Sequence, residues 1–151
     1  MIDLFPKFFE GNTFFIDEKV NMFKFENDYK VYDGFGLQQG NIKQKLSVGK
    51  KLLSLLINKA MMPFKLEIIN MEGETQATIT RGWTFFMSKI TVSGPDGDVY
   101  GYITQKFKLL KPRFIITDEN QNKIAEINGD WKAWNFSITD GSDKTIGAIS
   151  K

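Results

Sequence analysis

A pattern of sixteen residues recurs along this chain, and it constrains the fold more than any other feature. Four copies begin at Leu66, Ile90, Phe114 and Phe136, and a fifth begins at Tyr29. In every copy the first and third positions are apolar or aromatic, the fifth is polar or glycine, the twelfth is small and the fourteenth is isoleucine. Alternating apolar residues on both sides of a turn are typical of two antiparallel strands. The repeat therefore predicts a mainly β chain built as a meander of hairpins.

The turn signals and the small residues bear on how these hairpins assemble. Asp33-Gly34 and Pro95–Asp98 have the composition of hairpin turns, as does Asp118–Asn122. Many short antiparallel strands joined at such intervals predict a sandwich or a closed β-barrel. Gly or Ala at the twelfth position favours a closed or near-closed barrel, because small residues let strands bend and leave room inside. Two further short strands are predicted near Thr13–Asp17 and Asn21–Glu26.

Two segments depart from the repeat. Residues 47–61 place apolar side chains at intervals of three and four, which predicts one amphipathic helix that Pro63 ends. The linker Trp83–Met87 is aromatic and is predicted to lie in or against the core. Trp131 and Trp134 are predicted to pack in the core or at a sheet edge rather than to bind a ligand.

Two lysine-rich stretches are the candidate binding surfaces. The first runs from Lys43 to Lys65 and contains no acidic residue, and the second runs from Lys106 to Arg113. One interpretation is a solvated face with its cations in water. The other is a surface that contacts anionic phospholipid, where each cation contributes about 1 kcal/mol. The candidate lipid-binding residues are Lys43, Lys45, Lys50, Lys51, Lys59, Lys106, Lys108, Lys111 and Arg113.

The composition argues against an enzyme. The chain has no Cys and no His, so it lacks thiolate chemistry as well as the commonest acid/base residue and metal ligand. Asp118–Asn122 copies half of a calcium loop, but Lys123 replaces the glycine that such a loop needs. The pairs Asp96/Asp98 and Asp140/Asp143 are explained better as turn residues than as catalytic carboxylates. No catalytic residue, metal site or cofactor is predicted.

Charge and hydropathy bear on partners and location. A net charge of +2 gives no indication of nucleic-acid binding. Residues Met1–Gly11 lack the pattern of a signal peptide, and no apolar run reaches the roughly 18 residues of a membrane-spanning helix. These observations predict a soluble, cytoplasmic protein, and the lipid interpretation of the lysine-rich stretches would make it peripheral at the inner face of the membrane.

Six stretches have the order and spacing of a known family. They are Asn27–Asp33, Ile90–Gly97, Gly101–Gln105, Phe114–Asp118, Phe136–Asp140 and Ile146–Lys151. On these stretches the chain resembles the phospholipid scramblase and LURP-one-related family, which has the Tubby C-terminal-like fold. The resemblance extends from about Phe14 to the last residue.

The resemblance implies a fold and a function. The implied fold is one domain over residues 1–151, a twelve-stranded barrel around a hydrophobic C-terminal helix that would lie beyond residue 151 in a longer chain. The implied function is non-enzymatic, either binding of phospholipid at a membrane surface or movement of phospholipid across the bilayer. The partner would be an anionic phospholipid surface or an apolar ligand. The alternative is a soluble protein-interaction module with an unknown partner.

Overall fold

The described part of the chain is one antiparallel β-sheet. The computed structural model describes residues 5–17, 26–45, 63–83, 87–106, 113–130 and 132–151. Within these ranges eleven strands follow one another in the sheet in the order of the sequence, after a short 3-10 helix at Lys7–Glu10. The strands are β1 Phe14–Asp17, β2 Glu26–Asp33, β3 Gln38–Lys45, β4 Phe64–Asn70, β5 Thr75–Arg81, β6 Lys89–Ser93, β7 Val99–Lys106, β8 Arg113–Asp118, β9 Lys123–Asp130, β10 Asn135–Asp140 and β11 Thr145–Ser150. The amphipathic helix predicted over residues 47–61 lies outside the described residues.

The five copies of the repeat are five hairpins, as the sequence predicts. They are β2–β3, β4–β5, β6–β7, β8–β9 and β10–β11, and in each the third residue of the repeat pairs with the small twelfth. Val92 faces Gly101 in this way, while the first and fourteenth residues, here Ile90 and Ile103, also pair. The strand predicted near Thr13–Asp17 is confirmed as β1.

One turn geometry closes all five hairpins. The amide of the fifth repeat residue donates to the carbonyl four residues later at 2.8–3.0 Å, and the amide three residues later donates back at 3.1 Å. The residue whose amide donates this second bond always has a positive φ. The strand register shifts by one residue beside every turn. Such a bulge lets the turn match the right-handed twist of the strands. The positive-φ residues are Gly36, Gly73, Gly97, Gln121 and Asp143.

The small twelfth residue has a cause in the neighbouring hairpin. A Cβ built on Gly40 would overlap the carbonyl oxygen of Ile69, and one built on Gly101 would overlap that of Thr117. Ile69 and Thr117 are bulge positions of the next hairpin along the sheet. Gly147 belongs to the last hairpin, and a Cβ there would meet nothing closer than 3.4 Å. Close contact with the next hairpin therefore accounts for glycine at Gly40 and Gly101, and barrel closure stays a prediction for the small residue in the other copies.

Apolar and polar side chains segregate to the two faces of the sheet. Paired residues share a face, so the first, third, twelfth and fourteenth positions of all repeats form one apolar face. Val31, Ala77 and Ala125 are buried on it, whereas most of its larger side chains are half-buried. The opposite face carries mainly Thr, Ser and charged residues, with Ile115 as a buried apolar exception.

The described sheet is open. Its edge strands, β1 and β11, do not pair with each other among the described residues. Because eleven strands alternate in direction, β1 and β11 run parallel, so direct closure would break the antiparallel pattern. The predicted antiparallel meander is confirmed, but closure into a barrel is not made by hydrogen bonds in the part of the chain that the structure describes.

The prediction that Trp83–Met87 lies in or against the core is wrong for Trp83 and Met87, and residues 84–86 lie outside the described residues. Trp83 is 48% exposed and Met87 is 52% exposed. The last pair between β5 and β6 is Arg81 with Ile90, so this linker lies beyond the paired strands. No neighbouring strand therefore covers these two side chains.

Candidate functional site

The structure places four of the nine predicted lipid-binding cations. Lys43 is exposed on the polar face of β3, and Lys45 is the last residue of that strand. Lys106 is exposed at the end of β7, and Arg113 begins β8 directly opposite it. The other candidates, Lys50, Lys51, Lys59, Lys108 and Lys111, lie outside the described residues.

Strand pairing joins the two predicted stretches into one row. Lys45 pairs with Lys65 on β4, and the intervening strands β5 and β6 contribute Arg81 and Lys89 at the same end of the sheet. We call this end, at which successive hairpins are connected, the loop end. The cationic row along it consists of Lys45, Lys65, Arg81, Lys89, Lys106 and Arg113. It extends over six neighbouring strands, from β3 to β8.

Lys65 ends the first lysine-rich stretch but is not among the lipid-binding candidates predicted from the sequence, and Arg81 and Lys89 lie outside both stretches. Arg81 and Lys89 are isolated in the sequence, and they become neighbours of the lysine-rich stretches only when separate hairpins pair. A signal was nevertheless present. Lys65 and Lys89 directly precede the first position of a repeat, while Arg81 follows the fourteenth by two residues.

Two cations of the row lie over aromatic rings. The guanidinium carbon of Arg81 is 4.7 Å from the centroid of Phe64, and the ammonium of Lys89 is 4.2 Å from that of Tyr102. Both distances suit cation–π attraction. Burial also lowers the pKa of Arg81 from its ordinary value. The rings hold these two cations at the end of the sheet.

The carboxylate of Glu126 pairs with two cations on the polar face near the row. Its carboxylate accepts a hydrogen bond from the Lys123 ammonium at 2.8 Å and lies 3.5 Å from the guanidinium of Arg113. The hydrogen bond from Lys123 is the main cause that lowers the pKa of Glu126, and the charge of Arg113 acts in the same direction. The ion pair between Arg113 and Glu126 joins the side chain of this cation on β8 to β9.

Exposed indoles accompany the cations at the loop end. Trp83 follows β5, and Trp134, which is 49% exposed, precedes β10. The Trp134 ring meets Phe136 edge-on at 6.1 Å, and the Lys151 ammonium lies 5.4 Å from its centroid. Trp134 therefore contacts the last hairpin, is not part of a core, and has about half of its indole in solvent. Trp131 lies outside the described residues.

A cleft of about 820 Å³ lies at the opposite end, beside the hairpin turns. Phe5 covers it by packing against Tyr100, with ring centroids 4.9 Å apart. Its polar lining is mainly acidic, from Glu74, Asp96, Asp98 and Glu119. Among the described residues, no group of three or more carboxylates is arranged to hold a metal ion.

Aspartate side chains in the turns accept hydrogen bonds from backbone amides. Asp118 Oδ1 accepts hydrogen bonds from the amides of Asn120 and Asn122 at 2.9 and 2.8 Å. Asp140 Oδ1 accepts the equivalent bonds from Ser142 and Lys144 at 2.8 and 3.0 Å. A side-chain bond from Asn122 and these amide bonds hold the pKa of Asp118 below its ordinary value. Asp96, Asp98, Asp140 and Asp143 lie in hairpin turns, as the sequence predicts.

A family model matches most of the chain. Residues 16–151 match the model of the Scramblase family. No curated protein and no solved structure matches the chain significantly. In the ranges that the structure describes, no helix has the length and apolar character needed to cross a bilayer.

Proposed function

The chain belongs to the Scramblase family, and on that premise we propose that it is a non-enzymatic protein that binds anionic phospholipid at a membrane surface. Family membership supports a phospholipid-linked role. The anionic preference and a peripheral position at the cytoplasmic face of the membrane are our additions. Nucleic acid is not among the expected partners, because the net charge is only +2.

The cationic row is the observation that carries this proposal. Six cationic residues lie at one end of the sheet across six strands. All but Arg81, which pairs with Phe64 and Ile90 of the apolar face, have polar-face register positions, and these five are a suitable array for a plane of phosphate groups. Each basic residue near an anionic leaflet contributes about 1 kcal/mol. Several acting together therefore give reversible binding that depends on ionic strength.

We propose further that the meander belongs to a single Tubby C-terminal-like barrel with the apolar face inside. The half-buried apolar side chains support this, because a sheet face of such composition needs a cover. An apolar ligand, such as a lipid acyl chain, would be bound on that face.

Sedimentation with vesicles tests the binding. The protein is mixed with vesicles of phosphatidylcholine alone or of phosphatidylcholine with phosphatidylserine, and the bound fraction is measured after centrifugation. We expect binding to the second vesicles and little to the first. Equal binding to both, or none to either, would contradict the proposal. Movement of phospholipid is measured separately, as loss of fluorescence protection of a labelled inner-leaflet lipid after the protein is added.

A protein-interaction module is the second candidate, and the open edges of the sheet favour it. Edge strands offer unpaired backbone groups, and here they also carry exposed Phe15, Ile16, Ile146 and Ile149. A partner in this case would add a strand to β1 or β11. A stoichiometric partner that is lost on Ile146→Lys, from a protein that ignores vesicles of either composition, would support this function instead.

A further inference from the structure

The two ends of the sheet carry opposite charge. The five turns, residues 33–37, 70–74, 94–98, 118–122 and 140–144, contain nine acidic residues and one cation, Lys144. Among the described residues, the loop end carries the six cations of the cationic row together with Lys132 and Lys151, against the acids Glu26 and Asp130, while Glu67 and Glu126 pair with Lys65 and Arg113. Although the net charge of the chain is small, positive and negative charges are therefore strongly separated along the strands.

The exposed apolar side chains do not distinguish the ends by themselves. Among the described residues, the loop end has Trp83, Met87 and Trp134, while the turns have Phe35, Leu37 and Met71. Indoles favour the headgroup region of a bilayer, because the ring is apolar and its N–H remains hydrogen-bonded. Phe35 is surrounded by acidic turns, which an anionic leaflet repels. Charge therefore decides which end can approach an anionic surface.

We propose that the sheet docks end-on, with its loop end against an anionic phospholipid bilayer. The indoles of Trp83 and Trp134 lie in the headgroup region, the cationic row contacts the lipid phosphates, and the five turns point away from the membrane. This orientation rests on the proposed phospholipid-binding function and adds to it the residues that enter the bilayer. Neither indole belongs to the lysine-rich stretches.

Single-tryptophan variants test the orientation. In each variant one indole remains, at position 83, at position 134, or at the turn position 35 through Phe35→Trp, and every other tryptophan, including Trp131, becomes Phe. Each variant is mixed with vesicles of phosphatidylserine and phosphatidylcholine brominated on the acyl chains. We expect blue-shifted, quenched emission from positions 83 and 134 and unchanged emission from position 35. Quenching at position 35, or quenching at no position in a protein that sediments with the vesicles, would overturn the orientation.

A pair of charge reversals provides an independent test. Lys106→Glu at the loop end and Lys144→Glu in a turn alter the net charge equally, and both side chains are exposed. Loss of one cation at the contact corresponds to about a fivefold loss of vesicle affinity, and reversal to more. We expect at least that loss for Lys106→Glu and less than a twofold change for Lys144→Glu. Equal losses would show that only net charge matters, and would overturn the proposal.

The two proposals fail in different ways. Wild-type protein that ignores anionic vesicles contradicts the phospholipid-binding function itself. Wild-type protein that binds them while its quenching pattern favours position 35 contradicts only the orientation. Circular dichroism of every variant confirms that the sheet is retained, and Lys89→Gln is a milder second variant if Lys106→Glu alters the spectrum. Binding to a labelled oligonucleotide in place of vesicles would overturn both.

Discussion

At Gly101, the absence of a side chain lets β7 lie against the bulge of the following hairpin. A Cβ at this position would overlap the backbone carbonyl of Thr117, which cannot rotate away as a side-chain tip could. We expect Gly101→Ala to lower the free energy of unfolding by about 1–3 kcal/mol, the usual cost of overpacking. Urea denaturation measures it. Gly147→Ala is the matched control, because a Cβ there has its nearest neighbour at 3.4 Å and should change stability by less than about 0.5 kcal/mol.

Glu126 makes part of the stability depend on pH. Its pKa is lowered in the folded protein, chiefly by the hydrogen bond from Lys123. A carboxyl of this kind stabilises the fold above its unfolded pKa of about 4.3, and this contribution disappears as the pH falls through the lower folded pKa. Glu126→Gln should therefore cost about 0.5 kcal/mol at neutral pH, since the side chains of both cationic partners are 40–49% exposed, and almost nothing in strong acid.

Denaturation of wild type and Glu126→Gln at about pH 7 and about pH 3 checks this sign. Glu72→Gln removes the same charge from an exposed turn and is the control. A stability difference between wild type and Glu126→Gln that persists unchanged in acid would contradict the assignment.

The five turns share one geometry. Two of them have a residue with a Cβ, Gln121 or Asp143, at the positive-φ position that glycine occupies in the others. Gln121 adopts φ 67° where the equivalent Gly97 adopts 86°. A left-handed conformation costs a residue with a Cβ about 1 kcal/mol, and glycine adopts it without that cost. Gln121→Gly should therefore raise the free energy of unfolding by up to about 1 kcal/mol, while Gly97→Gln should lower it by a similar amount. Thermal or urea denaturation compares the two, and changes of the same sign would show that backbone conformation is not the cause.

Pairing within hairpins could be predicted from the sequence, whereas pairing between hairpins could not. Ile90 and Ile103 occupy fixed repeat positions around a recognisable turn, so their contact follows from spacing alone. The contact of Arg81 with Ile90 joins two separate repeats, and nothing in either repeat specifies its register. The cationic row depends on pairing between separate hairpins, so it could be identified only in the structure. The exposure of Trp83 is a second case, because an aromatic linker has the same composition whether or not a neighbour covers it.

At the scale of the whole molecule, the open edges are a liability. The edge strand β11 carries Ile146, which is 55% exposed, and no other described strand pairs with its outer side. We expect the protein to self-associate through this edge, and Ile146→Lys to reduce the sedimentation coefficient at high concentration, because an edge charge opposes strand addition. Ile124→Lys is the control, since Ile124 is 50% exposed on β9, which pairs on both sides. An equal effect of both substitutions would indicate general hydrophobic association.

The separation of charge along the strands leads to a prediction about ionic strength. β7 spans eight residues, or about 27 Å, between the turns and the loop end. The Debye length is about 30 Å at 0.01 M salt but about 8 Å at 0.15 M. With the loop end on an anionic bilayer, the acidic turns are therefore repelled by it in dilute salt and are screened from it at physiological salt.

Neutralising the turns should consequently strengthen vesicle binding only in dilute salt. We expect the double substitution of Glu72→Gln and Asp96→Asn to raise the affinity for phosphatidylserine-containing vesicles at about 0.01 M salt and to leave it unchanged at about 0.15 M. Lys106→Gln should lower the affinity at both concentrations, because this cation contacts the lipid directly. Sedimentation over a salt series measures all three proteins. A gain from the turn substitutions that persists at 0.15 M would place the turns within about 8 Å of the bilayer, which the end-on orientation does not allow.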